Sequence, residues 1–350
     1  MSHPPVVLHL TNDLDTRGFA RGFDALRAEG ALRHVPLSPP ALLRDGATKE
    51  EALRTLTRRA REAAPDLVLV RSPHGFPWDH ADVAAFLKAL GSPPVVQWEG
   101  DPWGGRKPLT DRTAAWLRHA DSVFSVALGE QAALLGEFTR QPVRYVPHTL
   151  PDRLRTPEPV PPLADARYDA VHIGGCYVRL GVLERVDDAR QRRSAVRRVL
   201  RLRGVRTAVH GPGWRGRGAL GPLPFDQQVT AVRDARLSFD SGHFLRHPGY
   251  TSNRMAIGLY AGRPHVTSRI RAASWVPGPT HGLHQADSPK GIAATVRALL
   301  RDDPDTLHAA GLAGHRWVRD RLGNEQALRH MLGAHLPVAP PPADPWQAFA

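Results

Sequence analysis

The residues best placed for acid–base chemistry lie in "VVQWEGDPWGG", residues 95–105. Glu99 and Asp101 stand two apart at the end of an apolar run. If the strand runs through them, both carboxylates leave one face, and each raises the other's pKa. Such a base suits removal of a proton from an acceptor hydroxyl. Trp98 and Trp103 flank the pair and could form a platform for a sugar or an aromatic group. The plainer reading is that Asp101-Pro102 opens a turn and Glu99 pairs with an arginine. His74, in "RSPHG", and His148, in "VRYVPH", are further base candidates at strand ends. With 18 histidines in the chain, a lone one is more often structural.

A second group suits anion binding. In "GYTSNRMAIGLYAGRPHVTSR" (249–269), Thr251, Ser252 and Asn253 are all N-cap types. Ahead of a short helix they leave N–H groups and the positive end of the dipole for an anion. Arg254 beside them can fork onto phosphate oxygens. Tyr250 can stack on a base or simply pack, and a capped helix with a surface arginine would read the same way. Gly174 and Gly175 in "HIGG", and Gly211 and Gly213 in "HGPGW", let backbone turns approach a ligand such as a diphosphate. Trp214 is placed to cover a base. Unliganded turns read alike, but two glycine turns at successive strand ends favour a ligand.

No metal site is expected. Asp13 and Asp15, and Asp303 and Asp305, mimic an Asp-x-Asp metal pair, but "DDPD" is better explained as a helix cap. No His or Cys spacing fits zinc. Neither a Gly-x-Ser-x-Gly elbow nor a phosphate-binding loop of the Walker type is present.

The elements that must hold these groups alternate in type. Strand-like runs occur at 6–10, 66–72, 93–100, 122–127 and 143–148, separated by helical patterns near 17–29, 48–63, 79–90, 109–119 and 128–138. Five prolines within 148–167 then break the rhythm, as a linker would. A second series has strands at 168–175, 205–211, 236–242 and 263–268. Its helices fall near 189–203, 225–235, 252–261, 288–301, 304–322 and 325–335. This pattern predicts two doubly wound, Rossmann-like α/β domains with parallel sheets, whose ligands bind at strand carboxyl ends. The expected division is a first domain at 1–150, a linker at 151–167, a second domain at 168–336 and a proline-rich tail at 337–350.

The chain has 350 residues, one cysteine (Cys176) and a net charge of +13. Only four of its 47 cationic residues are lysine, as a GC-rich genome would produce, so the charge is discounted as a sign of nucleic-acid binding. The densest arginine run, Arg190, Arg192, Arg193, Arg197, Arg198, Arg201 and Arg203, is interleaved with apolar residues at helical spacing. It reads as a helix with a solvated basic face, or more sharply as a phosphate- or acid-binding face. No apolar run reaches the length of a membrane helix, the N-terminus carries no secretion signal, and a single cysteine suits the cytoplasm.

The ordered series "YDAVHIGG", "VHGPGW", "LPFDQQVTAVRDARLSFDSG", "GYTSNRMAIGLYAGRPHVTSR" and "SPKGIAATVRALLRDDPD" resembles the C-terminal half of GT-B glycosyltransferases, especially the CgeB-like enzymes of bacteria. The resemblance covers roughly 168–335 and is patchy earlier. It implies a metal-independent bacterial enzyme. A nucleoside-diphosphate sugar would be its co-substrate in the second domain, with no further cofactor. A small-molecule, glycan or cell-surface acceptor would sit in the first. It carries Asn253 and Arg254 onto diphosphate positions and Gly174 and Gly175 onto the first glycine turn. It also exposes a departure: counting back from Gly262, the family's ribose-binding Glu falls on Ile257, which accepts no hydrogen bond. A pseudo-glycosyltransferase, a nucleotide-sugar epimerase and a non-catalytic binding protein are the alternatives.

Overall fold

The computed structural model describes residues 3–12, 19–150, 154, 159–179 and 183–340. The chain divides into two compact units, 1–147 with 324–350, and 148–323.

The first unit carries β1 (Val6–Thr11), α1 (Ala20–Ala28), β2 (Arg33–Leu37), α2 (Pro39–Arg44), α3 (Lys49–Ala63), β3 (Leu67–Arg71), α4 (His80–Ala89), β4 (Val95–Glu99), α5 (Asp111–Leu117), β5 (Ser122–Ser125), α6 (Glu130–Gly136) and β6 (Val143–Tyr145). The six strands form one parallel sheet in the order β2-β1-β3-β4-β5-β6. Central strand β4 is buried throughout and β3 over Leu67–Val70, and both open as apolar runs for that reason. Capping boxes start α3 (Thr48 with Glu51) and α4 (Asp79 with Asp82). Edge strand β2 escapes the sequence pattern because "RHVPL" carries a proline and buries only its last residue. Proline is tolerated at such an edge.

The second unit carries β7 (Tyr168–Ile173), the small antiparallel pair β8 (Val178–Arg179) and β9 (Leu183–Glu184), α7 (Ala189–Leu200), β10 (Thr207–His210), β11 (Ala219–Gly221), α8 (Gln228–Arg233), β12 (Ala235–Phe239), α9 (Asn253–Tyr260), β13 (His265–Ser268), β14 (Leu283–Ala286), α10 (Pro289–Leu299) and α11 (Pro304–Arg321). Its parallel sheet has the order β11-β10-β7-β12-β13-β14. Asp303 caps α11 through Thr306 N at 2.9 Å, with Pro304 at the first helical position, as expected for "DDPD". Asp13 and Asp15 lie outside the described residues. No helix among the described residues is long and apolar enough to cross a membrane.

Chain order assigns 324–336 to the second domain, but the structure assigns this segment to the first unit. There α12 (Asn324–Leu332) packs on α1. Gly22 makes room: a Cβ there would lie 2.8 Å from the backbone of Asn324 and Glu325. Leu328, Met331 and Leu332 are buried, and His335 Nε2 meets Ser122 Oγ at 2.8 Å. Part of the expected linker is likewise fixed, since Arg263 Nη1 donates to Pro161 O at 2.8 Å within the second unit.

Candidate functional site

In the second unit the sequence-predicted glycine turns stand against each other. Gly174 (φ 151°) follows β7 and Gly211 (φ 133°) follows β10. A Cβ on Gly211 would lie 2.4 Å from Gly174 O, and one on Gly213 would lie 2.7 Å from Cys176 O. Glycine is required at both places because the turns touch through their backbones. A Cβ on Gly174 would meet Arg254 Nε at 2.9 Å, so this turn also lets the arginine in. Gly175 leaves space for the Tyr177 ring in the same way. Trp214 braces the arrangement. Its indole N–H donates to Gly174 O at 2.6 Å, and its ring stands edge-on to His172. The half-buried indole is thus tied to the turn.

The helix entrance is built without a side-chain cap. Ser252 is the N-cap of α9 in extended conformation, yet its hydroxyl accepts no bond from the helix start. That hydroxyl lies 3.5 Å from Asp240 Oδ2. The first N–H groups of α9 are therefore not closed off by Ser252. Asn253 and Arg254 are its first two helical residues and both are half-buried. Thr251 is buried, and its hydroxyl makes no hydrogen bond within the described residues. Tyr250, Thr251 and Ser252 line a narrow pocket with His243, Thr267 and Ser268.

Three residues outside the predicted set complete the cluster. Asp240, just past β12, is 1% exposed. Arg192 of α7 is 0% exposed. Its Nε donates to Ser241 O at 2.8 Å and lies 3.5 Å from Asp240 Oδ1. Its two terminal nitrogens are buried and make no hydrogen bond within the described residues. Arg254 Nη1 lies 3.6 Å from Asp240 Oδ2. His172 Nδ1 donates to Phe239 O at 3.1 Å and sits 3.7 Å from Asp240 Oδ1.

The charges of this cluster do not cancel. Burial would raise the Asp240 carboxyl, but Arg192 and then Arg254 outweigh it and hold the group well below the usual carboxylate range. Burial lowers His172 and His265 to about 4 and His243 to about 3, so all three are neutral near pH 7. Burial, and then Arg254, lowers Arg192 only to about 10, so it stays charged. Two guanidinium groups against one carboxylate leave one positive charge in a buried place. An anion would neutralise it and satisfy the unpaired Arg192 nitrogens.

Arg192 has a sequence signal that is easy to overlook. It falls on the buried stripe of α7 with Ala189, Ala195, Val196 and Val199, so a solvated basic face does not describe it. Asp240 is the acid of "FDSG" at a strand's carboxyl end. Ile257, where the family pattern carries Glu, is 2% exposed and lines a small apolar cavity with Phe239, Arg254 and His265.

In the first unit, Glu99 and Asp101 part company. β4 ends at Glu99 and the chain bends at Asp101, so the two carboxylates do not share a strand face. Glu99 is 0% exposed. Its Oε1 accepts from Asp101 N at 3.2 Å, and Oε2 has no hydrogen bond within the described residues. Burial first, and Asp101 second, push its carboxyl up to about 8. Asp101 is partly exposed, with Lys107 Nζ at 3.2 Å and His74 Nδ1 at 3.6 Å. Burial lowers His74 below the ordinary histidine value. Gln131 fixes the loop, accepting from Trp103 N at 2.7 Å and donating to Asp101 O at 3.2 Å. The expected tryptophan platform is not formed. Trp98 and Trp103 are 4% and 2% exposed and fill the core, Trp98 with its indole N–H on Val146 O. His148 belongs to the second unit, edge-on to Tyr250.

No protein-family model matches the sequence, and no curated protein matches it. Solved structures do. The chain is similar to Anabaena Alr3699/HepE in complex with UDP and glucose, with a TM-score of 0.60 and 12% identity over 94% of this chain and 100% of that one. An alpha-glucosyltransferase in complex with UDP-glucose and DNA containing an abasic site gives 0.63 at 9% identity, covering 96% and 100%. Sucrose-phosphate synthase from Thermosynechococcus elongatus gives 0.57 at 13% identity, covering 94% and 98%. A Listeria monocytogenes protein described as a UDP-N-acetylglucosamine 2-epimerase also matches, at 0.52. At such identities the likeness speaks for architecture. The two six-stranded parallel sheets with their helices are those of the GT-B fold.

Proposed function

We propose that this chain is a glycosyltransferase that binds the diphosphate of a nucleoside-diphosphate sugar in the second unit. The observation that carries the reading is Arg192: a buried guanidinium with two unpaired nitrogens, beside Arg254, the open start of α9 and a single carboxylate. The excess positive charge suits a diphosphate and would stabilise it as a leaving group. Asp240 would orient both arginines. UDP is the first nucleotide to test, because HepE and the alpha-glucosyltransferase hold UDP or UDP-glucose. The order of sequence motifs supports a place near the CgeB-like enzymes.

Asp101 is the better candidate base in the first unit. It is partly exposed, whereas Glu99 holds a proton near neutral pH behind it. In an inverting transfer, Asp101 would take the acceptor hydroxyl's proton, and the attacking oxygen would displace the diphosphate from the anomeric carbon. The acceptor would be a small molecule or glycan, and the single cysteine suits work in the cytoplasm.

Ile257 favours a second reading on the same scaffold, a nucleotide-sugar epimerase or pseudo-glycosyltransferase, since no carboxylate stands there for a ribose. A thermal-shift panel of UDP, GDP, ADP, dTDP and their sugars tests the donor site. At least one should stabilise the protein; failure of all would refute the assignment. Incubating the stabilising sugar nucleotide without acceptor, and following its sugar by NMR, separates the readings. Epimer formation would replace transferase with epimerase.

A further inference from the structure

Between Asp188 and Asp226 the chain carries ten arginines and no Asp, Glu or Lys. Arg192 is buried in the anion site. Arg190 and Arg206 pair with Glu184 and Asp169. The exposed Arg197, Arg198, Arg201, Arg203, Arg215 and Arg217 make no ion pair within the described residues. Arg190, Arg193, Arg197 and Arg201 follow one another at three- and four-residue steps, so they form a stripe along α7 opposite its buried face. The donor reading uses none of these exposed arginines.

Apolar side chains mark both ends of the stripe. The large hydrophobic side chains exposed among the described residues are Tyr177, Leu183 and Leu220, at 38%, 56% and 48%. Leu183 sits at the N-terminal end of α7, held there by its neighbour Glu184, which accepts from Arg190 N at 2.8 Å. Leu220 lies on edge strand β11. A Cβ on Gly218, two residues earlier, would meet Leu200 at the C-terminal end of α7, so the exposed Leu220 stands close to that end of the stripe. Arg215 and Arg217 precede it.

We propose that this face of the second unit docks on a membrane surface rich in anionic lipid. The arginines would lie against the headgroups, and Leu183 and Leu220 would enter the acyl boundary. The observations favour lipid over nucleic acid. Exposed leucines bracket the basic stripe, and Trp214, the aromatic residue beside Arg215 and Arg217, is engaged with Gly174 O and is not free to stack on bases.

The test is co-sedimentation of the full chain with phosphatidylcholine vesicles, with and without phosphatidylglycerol. Each arginine near such a surface changes partitioning roughly fivefold, so replacing three should weaken binding about a hundredfold. The protein should bind only the phosphatidylglycerol vesicles, and salt should release it. The triple variant Arg197→Gln, Arg198→Gln, Arg201→Gln should show that loss while keeping a cooperative thermal transition, because all three side chains are exposed. Leu220→Ser should bind more weakly at equal charge. Equal binding to both vesicle types, or full binding by the triple variant, would overturn the proposal. Binding to random duplex DNA with none to vesicles would also overturn it and assign the face to nucleic acid.

Discussion

Glu99 offers a perturbation whose size follows from the structure. The folded chain holds a proton on this buried carboxyl up to pH about 8, whereas an unfolded chain releases it near the ordinary value of 4.5. Between those values the folded state binds more protons, so stability falls as pH rises, and the loss is complete above pH 8. At about 1.4 kcal/mol per pH unit, the drop between pH 5 and 9 is about 4 kcal/mol. That is a large share of the roughly 5–15 kcal/mol that holds a domain together. Glu99→Gln keeps the shape and the acceptor for Asp101 N, and its amide replaces the carboxylic acid proton. The variant should match the parent near pH 5 and exceed it by several kcal/mol at pH 9. Urea unfolding followed by tryptophan fluorescence would report this, since the buried Trp78, Trp98, Trp103 and Trp116 all belong to the first unit. Parallel pH profiles for the two proteins would mean that Glu99 is already ionised in the fold, and the reasoning would fail.

Other perturbations probe the remaining links. Asp101→Asn should leave nucleotide binding intact and abolish turnover; undiminished turnover would remove Asp101 as base. Gly211→Ala drives a methyl group into Gly174 O at a φ of 133°, and should cost the second unit about 2–4 kcal/mol and weaken donor binding together. An unchanged melting temperature would show that the two turns can separate freely. Arg263 is buried and donates to the carbonyls of Ala235, Pro161 and Arg233, each at 2.8 Å. Arg263→Met strands all three and should cost about 3–5 kcal/mol, seen as an earlier thermal transition. Lysine should not rescue it, because it lacks the planar fork.

Much of the fold was legible because buried parallel strands read as short apolar runs and helix starts carry their caps. β3, β4 and the Asp303–Pro304 cap of α11 were recovered that way. What escaped was peripheral or short. β2 carries a proline at the edge, β14 is "LHQA" with two polar residues, and β11 has three residues next to glycines. The place of α12 depends on a tertiary contact with Gly22, which no local pattern reports. At the site, the sequence marked the glycine turns and the helix entrance, but not that the turns support each other. The two-residue spacing of Glu99 and Asp101 misled because the strand stops at the first of them. Arg192 was concealed among arginines of the opposite role; only its register with Ala195, Val196 and Val199 sets it apart. The acid buried in this cluster is Asp240, just past β12, and not a residue of α9.

The central claim is that Arg192 and Arg254 build an anion site for the donor's diphosphate. Calorimetric titration of UDP, GDP, ADP and dTDP into the parent protein, Arg192→Met and Arg254→Ala tests it most directly. A hydrogen bond to a charged group contributes about 1.5–3 kcal/mol, so each variant should bind about ten- to a hundredfold more weakly. At least one nucleotide should bind the parent, and both variants should show that loss. Absence of binding to the parent, or equal affinity in Arg192→Met, would contradict the account.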